Sequence, residues 1–157
     1  AIRVFSFSVA PRTDGMSRVK IPAKLAAKIR EQAQLRCGYC LVSEHLIGIR
    51  MEFEHLSPLS ANGQTIEENL WLSCRNCNGF KHTQTEAIDP ETGQLVPLFN
   101  PRTQNWFEHF RWSDDHTEIV GLSPVGRATV LALKLNHPMI VATRKLWVSV
   151  GWWPPTD

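Results

Sequence analysis

Two cysteine pairs frame the most informative part of this 157-residue chain: Cys37-Gly38-Tyr39-Cys40 and Cys74-Arg75-Asn76-Cys77. The spacing within each pair lets two thiolates reach one ion from a single turn. Two such turns together make the closed tetrahedral site typical of structural zinc. The alternative interpretations are disulfides, redox chemistry and unligated core cysteines. Redox use would place one pair beside a βαβ pattern, which the sequence lacks. We therefore predict one structural Zn²⁺ with Cys37, Cys40, Cys74 and Cys77 as its ligands.

The composition is that of a folded domain with a weak basic bias. Hydrophobic residues make up 43% of the chain, which excludes global disorder. The net charge of +2 permits nucleic-acid binding without arguing strongly for it. No stretch approaches the roughly 20 apolar residues of a membrane span, and the serine-broken start of the chain makes a poor signal peptide. Because every cysteine falls in a CxxC pair, we expect a cytoplasmic metalloprotein. The lack of a long apolar stretch predicts no membrane partner.

Local patterns predict helices and strands around the cysteine pairs. A helix over residues 22–36, with Pro22 at its first position, runs into the first pair. Alternating apolar and charged residues predict a strand over residues 47–53, and residues 70–72 a shorter second strand. A helix over residues 75–86 is entered from the second cysteine pair.

The last part of the chain is different, with five of the six tryptophans and no cysteine. Ser123-Pro124 should start a helix that ends at Asn136-His137, and Pro138 should open another that continues to about Val150. The tryptophans would allow base stacking, but we favour burial in a core as the commoner use. Four basic residues here are candidates for a phosphate-binding face: Arg102, Arg127, Arg144 and Lys145.

The best internal boundary is the turn at residues 89–93. We predict an α+β chain in three parts. Residues 1–15 are a leader or a poorly ordered segment. Residues 16–90 are the core with the zinc site and include the N-terminal helix, and residues 91–157 are a helical, Trp-rich extension that packs on this core.

A second, catalytic site is predicted from residues framed by the cysteines. Metal-assisted hydrolysis needs a base for water, a cation for charge on the leaving oxygen, and positioning. His55 is the best base, because neutral imidazole accepts a proton. Glu54 is a hard oxygen ligand suited to Mg²⁺ or Mn²⁺. Asn78 carries an amide oxygen, and His82 lies four residues later on the same helical face. We predict that Glu54, Asn78 and His82 hold the catalytic ion.

Three motifs at these positions resemble the HNH endonucleases: Glu54-His55-Leu56-Ser57-Pro58, Asn69-Leu70, and the stretch from Cys74 to Lys81. The resemblance covers residues 37–85 and implies a ββα-metal core, in which two strands and a helix surround one divalent ion. It implies that His55, Asn69 and Asn78 are catalytic, with Asn69 fixing the loop that presents the base. Residues 98–102 through 126–129 look like an extension found in some bacterial HNH proteins.

The sequence departs from the family pattern at two positions. The residue before the base is Glu54 rather than Asp or His, and the third letter of the motif is Asn78 rather than His. In colicin-type nucleases, a pair of metal-binding histidines has the spacing of Asn78 and His82. These departures bear on metal preference and rate more than on the class of reaction.

The residues and the resemblance together predict a metal-dependent endonuclease that hydrolyses DNA, which we expect to be double-stranded. Its cofactors would be a structural Zn²⁺ and a catalytic Mg²⁺ or Mn²⁺. Lys81 and Arg75 are the predicted nucleic-acid contacts. The rival hypothesis is a zinc-stabilised nucleic-acid-binding module without hydrolytic activity. A protein-interaction module built on a zinc frame is a third class, and it would show neither cleavage nor salt-sensitive DNA binding.

Overall fold

The computed structural model describes residues 19–156, and the predicted leader over residues 1–15 lies outside this range. The helices in this range are α1 (Ala23–Gln32), α2 (Glu44–Ile47), α3 (Arg75–Lys81), α4 (Trp106–His109), α5 (Pro124–Ala132) and α6 (Pro138–Ser149). The strands form antiparallel hairpins: β1 (Glu52–His55) with β2 (Leu70–Ser73), β3 (Glu86–Ile88) with β4 (Leu95–Pro97), and β5 (Phe110–Trp112) with β6 (Ile119–Gly121). Helices combined with small sheets confirm the predicted α+β class. In the described residues, no helix is both long enough and apolar enough to cross a bilayer.

A ββα unit made of β1, β2 and α3 forms the part of the fold that carries the candidate site. The two strands pair along their whole length. Glu52 and Glu54 alternate with their neighbours on β1 and therefore share one side of it. Both side chains contact α3, Glu52 through Asn78 and Glu54 through Lys81. His55 is the last residue of β1, next to Glu54 in the chain.

The first predicted strand begins later than the sequence indicated. It was expected over residues 47–53 but starts at Glu52, because Glu44–Ile47 forms the short helix α2. The Ser43 hydroxyl caps this helix, and Gly48 ends it in the left-handed conformation with φ of 65°. Local capping therefore outweighs the strand pattern at residues 47–51.

The helix after the second cysteine pair is shorter than predicted. It ends at Lys81 rather than at residue 86, and His82 has a positive φ of 49°. The chain then turns, so that the Thr85 carbonyl accepts a hydrogen bond from the Leu98 amide and residues 86–88 pair with β4. Pairing between distant segments, which no local pattern reports, ends the helix early.

The first helix also stops before its predicted end. It was expected over residues 22–36 and extends over Ala23–Gln32, with Ile29 as its fully buried residue. Gln34 and Leu35 adopt positive φ values of 51° and 56° just after it. These two residues turn the chain so that the first cysteine pair faces the second.

The extension is less helical than predicted, because the β5–β6 hairpin and strand β4 lie in it beside the helices α4, α5 and α6. Helix α5 starts as predicted, with the Ser123 hydroxyl accepting from the Gly126 amide and proline at the next position. It ends at Ala132 rather than at residues 136–137. A side chain on Gly126 would collide with the His109 carbonyl oxygen, so glycine allows α5 to pack closely on the chain before β5.

The tryptophans are mainly part of the core, as we favoured from the sequence. Trp106 is buried, and its indole nitrogen donates to the Tyr39 carbonyl at 2.8 Å, which joins the extension to the first cysteine pair. Trp153 is also buried and packs edge-to-face against Trp112, with ring centroids 4.9 Å apart. Trp152 differs, since 64% of it is exposed.

The predicted boundary at residues 89–93 is the turn between β3 and β4. Asp89 is fully buried there, and both of its oxygens accept hydrogen bonds from Arg127 of α5 at 2.8 Å. The paired guanidinium holds the pKa of Asp89 well below its usual range. The division of the chain at residue 90 stays a prediction. The ion pair between Asp89 and Arg127 joins the two predicted parts.

Asp89→Asn should lower the melting temperature at pH 7 by several degrees, because the amide keeps the shape but loses the bidentate ion pair. A lowered pKa in the folded state means that the ionised carboxylate stabilises the fold above the unfolded-state pKa of about 3.9, and that this stabilisation is lost as the pH falls below it. The difference in melting temperature between Asp89→Asn and the wild type should therefore become smaller as the pH is lowered from 5 to 2. Asp114→Asn, at an exposed position, is the control and should leave the melting temperature unchanged. If Asp89→Asn lowers the melting temperature equally at pH 7 and pH 3, the ion pair is not the cause.

Candidate active site and metal centre

The four cysteines meet in one buried cluster. Their sulfur atoms all lie within 4.8 Å of one another, and Cys40 Sγ is 3.8 Å from Cys74 Sγ. A tetrahedral zinc site with Zn–S bonds of about 2.3 Å requires sulfur atoms about 3.8 Å apart. Disulfide sulfurs would be about 2.05 Å apart, so this separation excludes a Cys40–Cys74 bond. The donor set and its geometry fit one closed, four-thiolate metal ion.

Backbone hydrogen bonds set the positions of these thiols. The Leu41 amide donates to the Cys37 carbonyl at 3.0 Å and closes the first turn. Cys74 stands at the N-cap of α3, where its sulfur accepts from the Cys77 amide. The Gly38 amide donates to the Leu72 carbonyl at 2.9 Å, which ties the first turn to β2. The cluster therefore joins the start of α3 to the loop that follows α1.

His55 is half-buried at the end of β1. Its Nε2 lies 3.0 Å from Thr65 Oγ1. If the threonine oxygen accepts the Nε2 proton, Nδ1 carries the lone pair that a general base needs. Burial lowers the pKa of His55, and the neighbouring Lys81 ammonium lowers it further, so the neutral ring predominates near neutral pH.

Asn69 holds the loop that follows His55. Its Oδ1 accepts from the Ser57 amide at 2.7 Å, and its Nδ2 donates to the Ser57 and Gln64 carbonyls, each at 2.9 Å. A side chain on Gly63 would collide with the Ser57 carbonyl oxygen, so only glycine allows the loop to close this tightly. These contacts correspond to the positioning role that the resemblance implies for Asn69.

Glu54 points into the fold, where it is 3% exposed. Its Oε1 accepts hydrogen bonds from Lys81 Nζ at 2.7 Å and from the Tyr39 hydroxyl at 2.8 Å. Burial raises the pKa of Glu54, and the Lys81 ammonium opposes that rise. Within the described residues, Oε2 is buried without a hydrogen-bond partner. One carboxylate oxygen is therefore engaged by Lys81 and Tyr39, and the other has no hydrogen-bond partner among the described residues.

This ion pair corrects the predicted phosphate contact at Lys81. The lysine is 2% exposed, and its ammonium lies between Glu54 and the Leu56 carbonyl oxygen. A buried carboxylate is costly unless a cation compensates it, and α3 supplies that cation when it packs on β1. Lys81 therefore stabilises the ββα unit and sets the electrostatics beneath His55.

Asn78 has a partner that the sequence analysis missed. Its Nδ2 donates to Glu52 Oε2 at 2.6 Å. A carboxylate only accepts hydrogen bonds, so this contact assigns the amide nitrogen to Glu52 and leaves Oδ1 for another partner. The alternation of β1 was the available signal, because it places Glu52 on the same side as Glu54.

The geometry predicted for His82 is also corrected. Because α3 ends at Lys81, His82 is not on the helical face of Asn78. Its ring is exposed, and its Nδ1 lies 3.2 Å from the Thr83 hydroxyl. In the described part of the chain, the cysteine cluster is the only group of three or more Cys, His or acidic side chains arranged for one ion.

The comparison with protein families agrees with this geometry. The HNH endonuclease family model matches residues 37–84, which extend from the first zinc-type turn through the ββα unit. Residues 37–84 form an HNH domain. Neither the curated proteins nor the solved structures gave a match to the chain. The domain is thus a nuclease-like module with a four-cysteine cluster suited to structural zinc, and the extension lies outside the matched region.

Most of the predicted basic face outside the HNH domain is engaged within the fold. Arg102 donates to the Leu70 carbonyl at 2.9 Å and stacks over the Trp71 ring. Arg127 pairs with Asp89, and Arg144 is buried. On the HNH domain itself, Arg75 is exposed at the start of α3. Arg75 is therefore the better candidate for a nucleic-acid contact.

Proposed function

We propose that the HNH domain is a metal-dependent endonuclease that hydrolyses DNA phosphodiester bonds, with His55 as the general base. The observation that carries this proposal is the setting of His55. Its Nε2 is engaged by Thr65, its ring is kept neutral, and the loop after it is held by Asn69. Nδ1 can then take a proton from water as the water attacks phosphorus.

Two oxygen atoms are the best candidates to hold the divalent ion of this reaction. Glu54 Oε2 is buried and without a partner in the described residues, and Asn78 Oδ1 is left over when the amide nitrogen bonds to Glu52. Both are hard donors suited to Mg²⁺ or Mn²⁺. Such an ion would stabilise negative charge on the leaving oxygen. Glu52 orients the amide of Asn78, as partners of ligands commonly do.

Nicking of supercoiled plasmid by the zinc-loaded protein tests this proposal. Cleavage should appear when Mg²⁺ or Mn²⁺ is added and should be absent when the divalent ion is omitted. Salt-sensitive DNA binding without nicking at any divalent ion would instead support the rival, a binding module without hydrolysis. Absence of both would favour a protein-interaction module.

Gly79 offers a test of where DNA approaches the domain. It lies on the exposed side of α3, and a side chain at this position would meet no atom within 4 Å. Glycine within a helix costs about 0.5–1 kcal/mol relative to alanine, so the fold alone would favour Gly79→Ala. If the DNA backbone passes this edge beside Arg75, Gly79→Ala should raise the urea midpoint and yet slow nicking several-fold. A variant that is more stable and cleaves at the wild-type rate would show that DNA does not approach here.

The ligand set of the catalytic ion can be tested by metal titration. Asn78→Ala should raise the Mn²⁺ concentration for half-maximal nicking about 10-fold or more, because it removes a proposed oxygen donor. His82→Ala should leave the titration unchanged, because the ring lies beyond the end of α3 and contacts Thr83. Zinc content serves as the check that both variants fold. If His82→Ala raises the Mn²⁺ concentration for half-maximal nicking as much as Asn78→Ala does, His82 is a ligand of the ion after all.

A further inference from the structure

Arg144 is the largest fully buried side chain of the described residues, with 1% exposure. It projects from α6, in the extension outside the HNH domain. Its guanidinium lies near two indole rings, 6.0 Å from the ring centroid of Trp112 and 5.8 Å from that of Trp153. An arginine in such a place is always charged, so the fold has buried a full positive charge.

The hydrogen bonds of Arg144 do not compensate that charge. Its Nη1 donates to the Thr117 carbonyl at 3.2 Å and, at 3.4 Å, to Asn136 Oδ1. Its Nε is buried without a partner, and Arg144 forms no ion pair within residues 19–156. A buried ion without a counter-charge is strongly unfavourable, so a compensating anion is expected nearby.

The cysteine cluster, once it holds a metal ion, can supply such an anion. Arg144 lines a cavity of about 520 Å³ together with three of the metal-site cysteines, Cys40, Cys74 and Cys77. The other charged residues that line it are all basic: Arg50, Arg75 and Lys134. Four thiolates around one Zn²⁺ carry a net charge of −2. Burial lowers the pKa of Arg144, and the electrostatic attraction of Cys40, Cys77 and Cys74 opposes that change, with a smaller contribution from the exposed Glu118.

We propose that Arg144 is the counter-cation of the four-thiolate centre and that it couples zinc binding to the docking of α6 on the HNH domain. Zinc then stabilises the core through its ligands and also the extension through Arg144. The proposal concerns the metal centre and stands whether or not the domain cleaves DNA. This partner could not be predicted from the spacing of the cysteines, because Arg144 lies far beyond the second pair in the chain.

Whether removing the charge of Arg144 lowers or raises the stability of the protein distinguishes a counter-cation from an arginine that is only buried. An uncompensated buried arginine is unfavourable, and its replacement by an apolar residue of similar size would stabilise the protein. A counter-cation has the opposite effect, because its loss leaves the anionic centre unbalanced. Arg144→Met should therefore lower the melting temperature of the zinc-loaded chain.

Zinc transfer to a coloured chelator provides the direct test. Arg144→Met and Arg144→Gln should release zinc about 10- to 100-fold faster than the wild type, the usual effect of losing a partner of the ligands. Arg144→Lys keeps the charge and should stay much closer to the wild type. The exposed Lys145→Met removes the same charge one residue later and is the matched control, with no change expected. Protease cleavage within α6 should rise in parallel with zinc release.

Several outcomes would overturn the proposal. They are zinc release at the wild-type rate in Arg144→Gln, release from Arg144→Lys as fast as from Arg144→Gln, or a higher melting temperature for zinc-loaded Arg144→Met. If Arg144→Met does not fold, the Gln and Lys variants decide the question, because each keeps a donor for the Thr117 carbonyl.

Discussion

Replacing His55 with alanine is expected to slow plasmid nicking about 10²- to 10⁴-fold, the usual effect of losing a general base. The fold should be little affected, because His55 is half-buried and its side chain bonds only to Thr65 within the described residues. Zinc content and DNA affinity should also remain near the wild type, since neither the cysteine cluster nor Arg75 contacts this ring. Initial rates of nicking at saturating Mg²⁺ measure the effect.

The matched control for this variant is His45→Ala. His45 is exposed on α2 and lies outside the three motifs of the candidate site, so its removal should leave nicking unchanged. Activity of His55→Ala within about twofold of the wild type would place the base elsewhere and weaken the proposed mechanism. Loss of DNA binding in the same variant would instead assign His55 to substrate contact.

Replacing Cys74 with serine should reduce the zinc content from one ion per chain to near zero and destabilise the core. Cys74 is both a ligand and the N-cap of α3, so its loss frees the start of that helix. Structural zinc sites supply folding free energy directly, and the chain should therefore become sensitive to protease within residues 75–81. Elemental analysis and limited proteolysis, each with and without added zinc, measure the two effects.

Asp89→Asn is the control for this experiment, because it should lower stability through the hairpin anchor and still bind one zinc ion per chain. A Cys74→Ser protein that stays fully folded and resistant without zinc would contradict a structural role for the metal. Retention of one tightly held zinc ion would show that the remaining cysteines are sufficient.

The parts of the site that depend on local spacing could be predicted from the sequence. Each CxxC turn brings its thiols together within a few residues, so the metal cluster was predictable from the two pairs. The helix starts at Ser123-Pro124 and Pro138 were also predictable, because a cap and a first-turn proline act within one turn. The position of His55 at a strand end followed from a short motif around it.

The environment of the candidate catalytic residues required the folded chain. Glu54 looked like a free metal ligand and Lys81 like a phosphate contact, but α3 buries both and pairs them at 2.7 Å. The pairing of β3 with β4 ends α3 before His82, and the sequence around His82 carries no sign of it.

Short-range spacing thus settled which residues form the metal cluster and the HNH motif, because bonded geometry links residues that are a few positions apart. Which side chains are buried, paired or exposed was settled by tertiary packing. Two pairings illustrate this: Asp89 bonds to Arg127, and Arg144 lines one cavity with three of the cysteines. In each case the partners come from segments distant in the chain. Charges interact more strongly when they are buried than when they are in water. What such a charged residue does therefore depends on which distant segments pack around it.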